Sequence, residues 1–101
     1  MKVEVDQGDI LKIEKINVPV LVTSKDIFNR SGQIIGCPVI KDGIDGPTHI
    51  HIHVGTDSFC AHCENLSLLD LDVRRYKKIG SLSMAEKITV SDTIQSLFEY
   101  I

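Results

Sequence analysis

Hydrophobic residues in the first two-thirds of the chain recur with the period of two that is typical of β-strands. Residues 10–16 alternate between apolar and charged side chains, which predicts a half-buried strand. Residues 18–23 form a continuous β-branched and apolar run, which we expect in the centre of a sheet. Residues 33–40 predict a third strand with a bend or bulge at Gly36 and Pro38.

A loop separates these strands from a second group. Two Asp/Gly turns and a proline predict the loop over residues 41–47. Residues 49–54 alternate strictly between histidine and aliphatic side chains, and residues 59–63 are the expected returning strand. The leucine-rich residues 65–72 predict one helical turn, and residues 75–82 resume an extended strand.

Two segments have helical signals. Residues 25–32 predict a short turn or helical loop that closes on glycine. Ser83 and Glu86 form a capping-box pattern, in which each side chain satisfies a backbone donor at the start of a helix. Beyond it, apolar residues recur at helical spacing at Ile94, Leu97, Phe98 and Ile101. We therefore expect residues 1–101 to form one α+β domain, a curved antiparallel sheet with a C-terminal helix.

The composition supports a single globular domain. The chain has 101 residues, of which 43% are hydrophobic and 25% charged, so it can bury a modest core and is not disordered in bulk. No apolar run approaches the ~18–20 residues of a membrane-spanning helix. Residues 1–6 are mixed in charge and lack an apolar secretion segment, so we expect a cytoplasmic protein without a membrane partner.

The charge is unevenly distributed. A formal net charge of −3 argues against a protein that coats duplex DNA. Four of the eleven basic residues nevertheless fall within five positions, at Arg74, Arg75, Lys77 and Lys78. These four residues, which we call the basic patch, are the candidate contacts to an anionic ligand.

The histidine strand and the following cysteines contain possible metal ligands. His49, His51 and His53 share one strand face, and Cys60 and Cys63 follow closely. The spacing is not a standard zinc signature, and the histidines can equally form a solvent-exposed face. We therefore expect no metal and no cofactor, and name these five residues as the candidates should an ion bind.

The three cysteines point to reduced thiols. An odd number without a secretion signal fits unpaired thiols better than a disulfide framework. The pair Cys60-x-x-Cys63 could be redox-active, but that chemistry normally needs a cysteine at a helix N-terminus, and strand-like residues surround this pair. Buried, inert thiols are the preferred interpretation.

A third group of residues could act on RNA. His62 can give and take protons near neutrality, Glu64 can accept a proton, and Arg74 or Arg75 can neutralise a phosphate. RNA cleavage needs such a set: a base for the 2′-hydroxyl, an acid for the 5′-oxygen and a cation for the phosphate. Surface charges of this kind are also commonly only solvated, so residue types alone leave both interpretations open.

Several short motifs together resemble a known family. They are Gly8-Asp9-Ile10, Val18-Pro19-Val20-Leu21-Val22, Phe28-Asn29, Cys37-Pro38-Val39, Cys63-Glu64-Asn65-Leu66 ahead of Leu69-Asp70, and Ile79-Gly80-Ser81-Leu82-Ser83. In this order and spacing the chain resembles the MazF/PemK/Kid toxins of bacterial toxin–antitoxin pairs. The resemblance implies a small SH3-like β-barrel with a C-terminal helix that acts as a homodimer, cleaves single-stranded RNA without metal and is silenced by a cognate antitoxin.

The family's catalytic positions are only partly matched. Many members carry an arginine before the second-strand proline and a threonine after the Cys-Pro strand, where this chain has Val18 and Ile40. The long loop between the first two strands is shortened to about residues 15–17. Some relatives instead carry Arg-Cys-Asp on a later strand, and the matching triplet here begins at His62 and ends at Glu64.

The resemblance therefore implies an RNA-cleaving toxin with Glu64 as base, His62 as acid and Arg74 at the phosphate, and with Arg75, Lys77 and Lys78 binding RNA. The alternative is a non-catalytic binding module on the same scaffold, which binds an antitoxin, regulates an operon or acts on a protein such as gyrase. The chain lacks the Trp-Gly-Ile ending that we associate with gyrase poisons, which disfavours that target.

Overall fold

Seven strands and two helices make up the part of the chain that the computed structural model describes, residues 3–41, 44 and 46–98. Of the predicted loop 41–47, residues 42, 43 and 45 lie outside the described residues. The elements are β1 (Asp9–Ile13), β2 (Val20–Val22), α1 (Asp26–Asn29), β3 (Gln33–Lys41), β4 (His49–Val54), β5 (Asp57–His62), β6 (Ser67–Asp70), β7 (Tyr76–Ser81) and α2 (Met84–Ser96).

All strand pairs are antiparallel, in the order β4-β5-β3-β2-β1-β7, and β6 pairs with the first half of β3. The sheet is curled, as the contact between β4 and β7 shows: Val54 at the end of β4 lies against the backbone of Gly80 in β7. The two ends of the strand order thus approach each other. This confirms the expected curved antiparallel sheet with a C-terminal helix.

Besides β2, strand β3 pairs with two further strands, each along a different half of its length. Its first half pairs with β6 up to Gly36, and its second half pairs with β5 from Val39 onward. Gly36 also lies close to β2, since a Cβ there would be 2.5 Å from Val20 Cγ1 and 2.9 Å from the Leu21 carbonyl oxygen. The predicted bend at Gly36 and Pro38 coincides with this change of partner.

Two hydrophobic clusters cover the two faces of the central strands. One lies between the sheet and α2 and includes Ile10, Leu21 and Val90; the other lies on the opposite face and includes Leu11 and Val20. Because side chains alternate along a strand, a strand buried on both faces needs an unbroken apolar run. This explains the continuous pattern over β2.

The predicted helical turn over residues 65–72 is wrong. Residues Ser67–Asp70 form β6, with Leu69 opposite Ile34 and Leu68 opposite Ile35 in β3. An unpaired stretch of β3 was available to this segment, and its ladder of hydrogen bonds outweighs the local preference of leucine for helix.

The C-terminal helix begins as predicted and ends early. Both capping-box bonds are present: the Glu86 amide donates to Ser83 Oγ at 3.2 Å and the Ser83 amide donates to Glu86 Oε1 at 3.0 Å. The helix ends at Ser96, so Leu97 and Phe98 follow it and are exposed, while Ile101 lies outside the described residues. Neither helix among the described residues is long and apolar enough to cross a membrane.

Candidate functional site

The β4–β5 hairpin gathers imidazole and thiol groups on one face. His49 is opposite His62, and His51 is opposite Cys60. Directly opposed residues of an antiparallel pair point to the same face, and residues two apart on one strand do so as well. Ile52, the residue after His51 in β4, points to the opposite face and lies in the core. The four side chains therefore form a two-by-two array on the outer face of the hairpin.

The rings of His49 and His62 stack on each other. Their centroids are 3.9 Å apart and their planes differ by 12°. His49 Nδ1 lies 3.1 Å from the carbonyl oxygen of Ile44, and its Nε2 lies 3.0 Å from Glu64 Oε1. Both nitrogens thus face oxygen acceptors, which holds the His49 ring in one orientation and, through stacking, fixes the neighbouring His62 ring.

Glu64 completes this group two residues beyond β5. Its Oε1 accepts a 2.5 Å hydrogen bond from the hydroxyl of Thr48. That bond lowers the pKa of Glu64 below its ordinary value, with smaller contributions from a backbone amide and from the nearby charges of His49 and His62. The side chain is 40% exposed, so an ionised carboxylate beside two imidazoles is open to a ligand. We call Thr48, His49, His62 and Glu64 the hairpin cluster.

The basic patch lies elsewhere on the sheet. Arg74 donates from Nη1 to the carbonyl oxygen of Glu14 at 3.5 Å, near the ends of β1 and β7. Strands β3, β2 and β1 stand between β5 and β7 in the strand order. The structure therefore brings His62 and Glu64 together, whereas the hydrogen bond described for Arg74 is to Glu14, beside β1 and β7.

The four basic residues also differ among themselves. Lys78 Nζ lies 3.1 Å from Asp9 Oδ1, and the Asp9 side chain is only 5% exposed. Lys78 therefore neutralises a buried carboxylate. Arg75 and Lys77 are exposed, while Arg74 is half-buried.

Of the five candidate metal ligands, the structure brings His49 and Cys60 together and adds His62. One ligand atom from each of these three residues lies within 4.8 Å of the others. Cys60 is fully buried, and its Sγ contacts the carbonyl oxygen of Ile44 at 3.6 Å. His51 shares the same face.

The remaining two candidates are engaged in other ways. At the far end of β4, His53 contacts Glu86 Oε2 with its backbone amide at 3.0 Å and with Nδ1 at 3.4 Å. Cys63 faces the core beside Cys37, where the contact between the two thiols and burial raise the pKa of Cys37. A raised pKa keeps Cys37 protonated. All three cysteines are buried, as the sequence predicts.

The local sequence does not predict that Thr48 and His49 contact Glu64. Thr48 and His49 reach Glu64 because the Cys63 amide donates to the Thr48 carbonyl at 2.9 Å, which extends the β4–β5 register past the end of β5. The number of residues between them and Glu64 does not predict this contact. Only the strict alternation over residues 49–54, folded back as a hairpin, could have indicated it.

Several solved structures share this fold. A chain in a crystal structure of MazE–MazF from Deinococcus radiodurans has a TM-score of 0.83 at 20% identity, covering 98% of this chain and 99% of that one. An endoribonuclease from a mycobacterial species has a TM-score of 0.81 at 14% identity, covering 95% and 92%. The Mycobacterium tuberculosis toxin MazF-mt6 has a TM-score of 0.72 at 14% identity, covering 90% and 95%.

The comparison with family models identifies the chain more directly. No curated protein sequence matches it significantly. The model of the PemK-like, MazF-like toxins, however, matches residues 3–98, which is nearly the whole chain. The chain therefore belongs to the PemK-like, MazF-like toxin family of type II toxin–antitoxin systems.

Proposed function

We propose that this toxin-family chain is an endoribonuclease that cleaves single-stranded RNA, with Glu64 as general base and His62 as general acid. The observation that carries the proposal is the hairpin cluster. A carboxylate with a lowered pKa lies beside His49, which stacks on His62, on an exposed face of the hairpin. An accessible base and acid held close together are the minimum that this reaction requires.

The reaction needs two proton transfers. Glu64 accepts the proton of the RNA 2′-hydroxyl, and the 2′-oxygen attacks the adjacent phosphorus. The bond from phosphorus to the 5′-oxygen breaks, and His62 donates a proton to that leaving oxygen. The products are a 2′,3′-cyclic phosphate and a 5′-hydroxyl, and because the nucleophile is the 2′-hydroxyl, DNA is not a substrate.

One of the positions that many relatives use for catalysis lies close to the hairpin cluster. Ile40, at the position where many relatives have threonine, is opposite Cys60 in the β3–β5 pair. Val18, at the usual arginine position, precedes Pro19, whose carbonyl accepts from the Val39 amide. Neither side chain can transfer a proton, so the proton transfers fall to the neighbouring His62 and Glu64.

Phosphate binding in this proposal has two parts. His49 is the cationic candidate nearest the reacting phosphate, because it contacts Glu64 directly. Arg74, Arg75 and Lys77 lie beside or within β7, next to β1, and bind phosphates farther along the RNA. Lys78 pairs with Asp9 and therefore contributes less to RNA binding than the other three residues of the basic patch.

The test is incubation of the purified protein with long RNA in the presence of EDTA. We expect fragments that end in 2′,3′-cyclic phosphate, and we expect RNA affinity to fall with added salt through Arg74 and Arg75. Intact RNA, with tight binding to a protein partner, would instead favour the non-catalytic binding module. A weaker salt dependence in an Arg74→Ala, Arg75→Ala double variant would support the basic patch as the RNA contact.

We also propose a cognate antitoxin as the protein partner and a homodimer as the active form. Structures similar to this chain include MazE–MazF complexes and an endoribonuclease bound to its cognate antitoxin. Co-expression with the product of the neighbouring gene should give a complex that no longer cleaves RNA. Light scattering should report twice the mass of one chain, and a monomeric mass at working concentration would contradict the dimer.

A further inference from the structure

We propose that His49, Cys60 and His62 form a binding site for a divalent ion of the zinc class. Sequence spacing alone does not indicate this set, because the three residues come from two strands. The hairpin register brings them together: His49 is opposite His62, and Cys60 is two residues before His62 on the same face. One ligand atom from each already lies within 4.8 Å of the other two.

The donor set suits zinc. Two imidazole nitrogens and one thiolate sulfur are ordinary zinc ligands, with bonds of about 2.0–2.1 Å and about 2.3 Å. In a tetrahedral site these bond lengths separate the ligand atoms by roughly 3.5 Å, so the longest separation must shorten by up to about 1.3 Å. Side-chain rotations achieve this when one of the two oxygen contacts of His49 is exchanged for the ion. Three protein ligands leave the fourth position to a water molecule.

The surroundings of the three ligands also fit a bound cation. A metal-bound histidine usually donates its second ring nitrogen to a carboxylate or a backbone carbonyl. His49 offers both, since one nitrogen faces the Ile44 carbonyl and the other faces Glu64. Whichever nitrogen binds the ion, the other keeps an oxygen partner.

The charges would balance at such a site. Cys60 is fully buried, and its thiolate form would need the positive charge that the ion supplies. An ion would release the thiol proton to solvent and neutralise the resulting thiolate, with the Glu64 carboxylate contributing further negative charge nearby.

The site goes beyond the proposed RNA cleavage and does not depend on it. One consequence does rest on the proposed function: His62 cannot donate a proton while its ring nitrogen binds an ion. Zinc would then inhibit the nuclease, and EDTA would restore it.

Cobalt(II) titration of the full chain tests the site without any use of RNA. We expect one ion per chain, a sulfur-to-cobalt charge-transfer band, and visible absorption of tetrahedral intensity that zinc abolishes. Cys60→Ser should remove the charge-transfer band. His49→Ala and His62→Ala should each weaken binding at least about 100-fold, since loss of even an indirect partner commonly costs 10–100-fold.

The matched control is His53→Ala, which removes an imidazole from the same strand and face but outside the set. It should bind cobalt like the unmodified chain. Binding without a charge-transfer band, or binding that all three ligand variants retain, would overturn the site. Because Cys60 is buried, circular dichroism should accompany each variant, and the histidine variants decide the question if Cys60→Ser does not fold.

Discussion

The ring of His49 stacks on that of His62 at 3.9 Å while its Nε2 contacts Glu64 at 3.0 Å, so one side chain joins the candidate acid to the candidate base. Proton-transfer groups work only within hydrogen-bond reach of their substrate atoms, which makes the orientation of both side chains important. His49 is therefore a positioning residue for both groups. It is also the proposed cation nearest the reacting phosphate. Thr48 plays a similar part on the other side of Glu64.

Replacing Thr48 should change the pH dependence of RNA cleavage. The Thr48 hydroxyl is the largest cause of the lowered pKa of Glu64, so Thr48→Val should raise that pKa toward its ordinary range. The base must be ionised, and the acidic limb of the pH–rate profile should therefore move to higher pH. Thr48→Ser keeps the hydroxyl and should leave the limb in place. An unchanged acidic limb in Thr48→Val would show that the ionisation of Glu64 does not control the cleavage rate.

Lys78 and Lys77 should differ in their effect on stability. Lys78→Met leaves the Asp9 carboxylate buried without its cation, which should cost about 1–3 kcal/mol of unfolding free energy. Lys77→Met removes an exposed charge from the preceding position and should change the free energy of unfolding by less than about 0.5 kcal/mol. Urea unfolding measures both values. Equal effects would show that the Lys78–Asp9 pair does not stabilise the fold.

Glu86 should stabilise the fold in a pH-dependent way. Partial burial opposes ionisation, but hydrogen bonds from Ser83 and from His53 outweigh it and lower the pKa of Glu86. A lowered folded-state pKa adds stability above the ordinary glutamate range, and this is lost as pH falls toward the folded value. Glu86→Gln should therefore be less stable by about 0.5–1 kcal/mol at neutral pH.

The difference between wild type and Glu86→Gln should shrink as the solution is acidified. Thermal unfolding from neutral to acidic pH gives the comparison directly. A gap that stays constant, or one that widens in acid, would contradict the assigned charge on Glu86.

A side chain at Gly36 should destabilise the centre of the sheet. In Gly36→Ala the new Cβ would meet Val20 Cγ1 and the Leu21 carbonyl oxygen at distances too short for real contacts. Backbone must then shift where β3 changes partner, at a cost of about 1–3 kcal/mol. At Gly46 the nearest atom to a new Cβ is 3.8 Å away, so Gly46→Ala is the control and should be close to neutral. Equal unfolding free energies would refute the close approach.

Local patterns predicted some elements well and others poorly. The alternation over residues 49–54 predicts β4 with the bounds that the structure has, and Ser83 marks the start of α2. The segment that became β6 has no alternation of its own, and its strand depends on the unpaired half of β3. Tertiary pairing of this kind is invisible to a local reading.

The candidate site, like the fold, was predicted from the sequence only in part. The triplet from His62 to Glu64 is a short motif, and its two polar residues lie close to each other in the structure. The basic patch looked continuous in sequence, but Lys77 and Lys78 are neighbours on a strand and point to opposite faces. Clustering along a strand therefore does not predict clustering in space, and Thr48 and His49 could be joined to Glu64 only through the register of the hairpin.

The most direct test of the proposed function is the cleavage rate of one defined RNA by the wild type, Glu64→Gln and His62→Ala in EDTA, with His53→Ala as the control. General acid–base catalysis typically contributes about 10²–10⁴-fold, so each of the first two variants should be slower by that factor while remaining folded. His53→Ala, which lies outside the hairpin cluster, should cleave at the wild-type rate. Cleavage at equal rates by all four proteins would contradict the account.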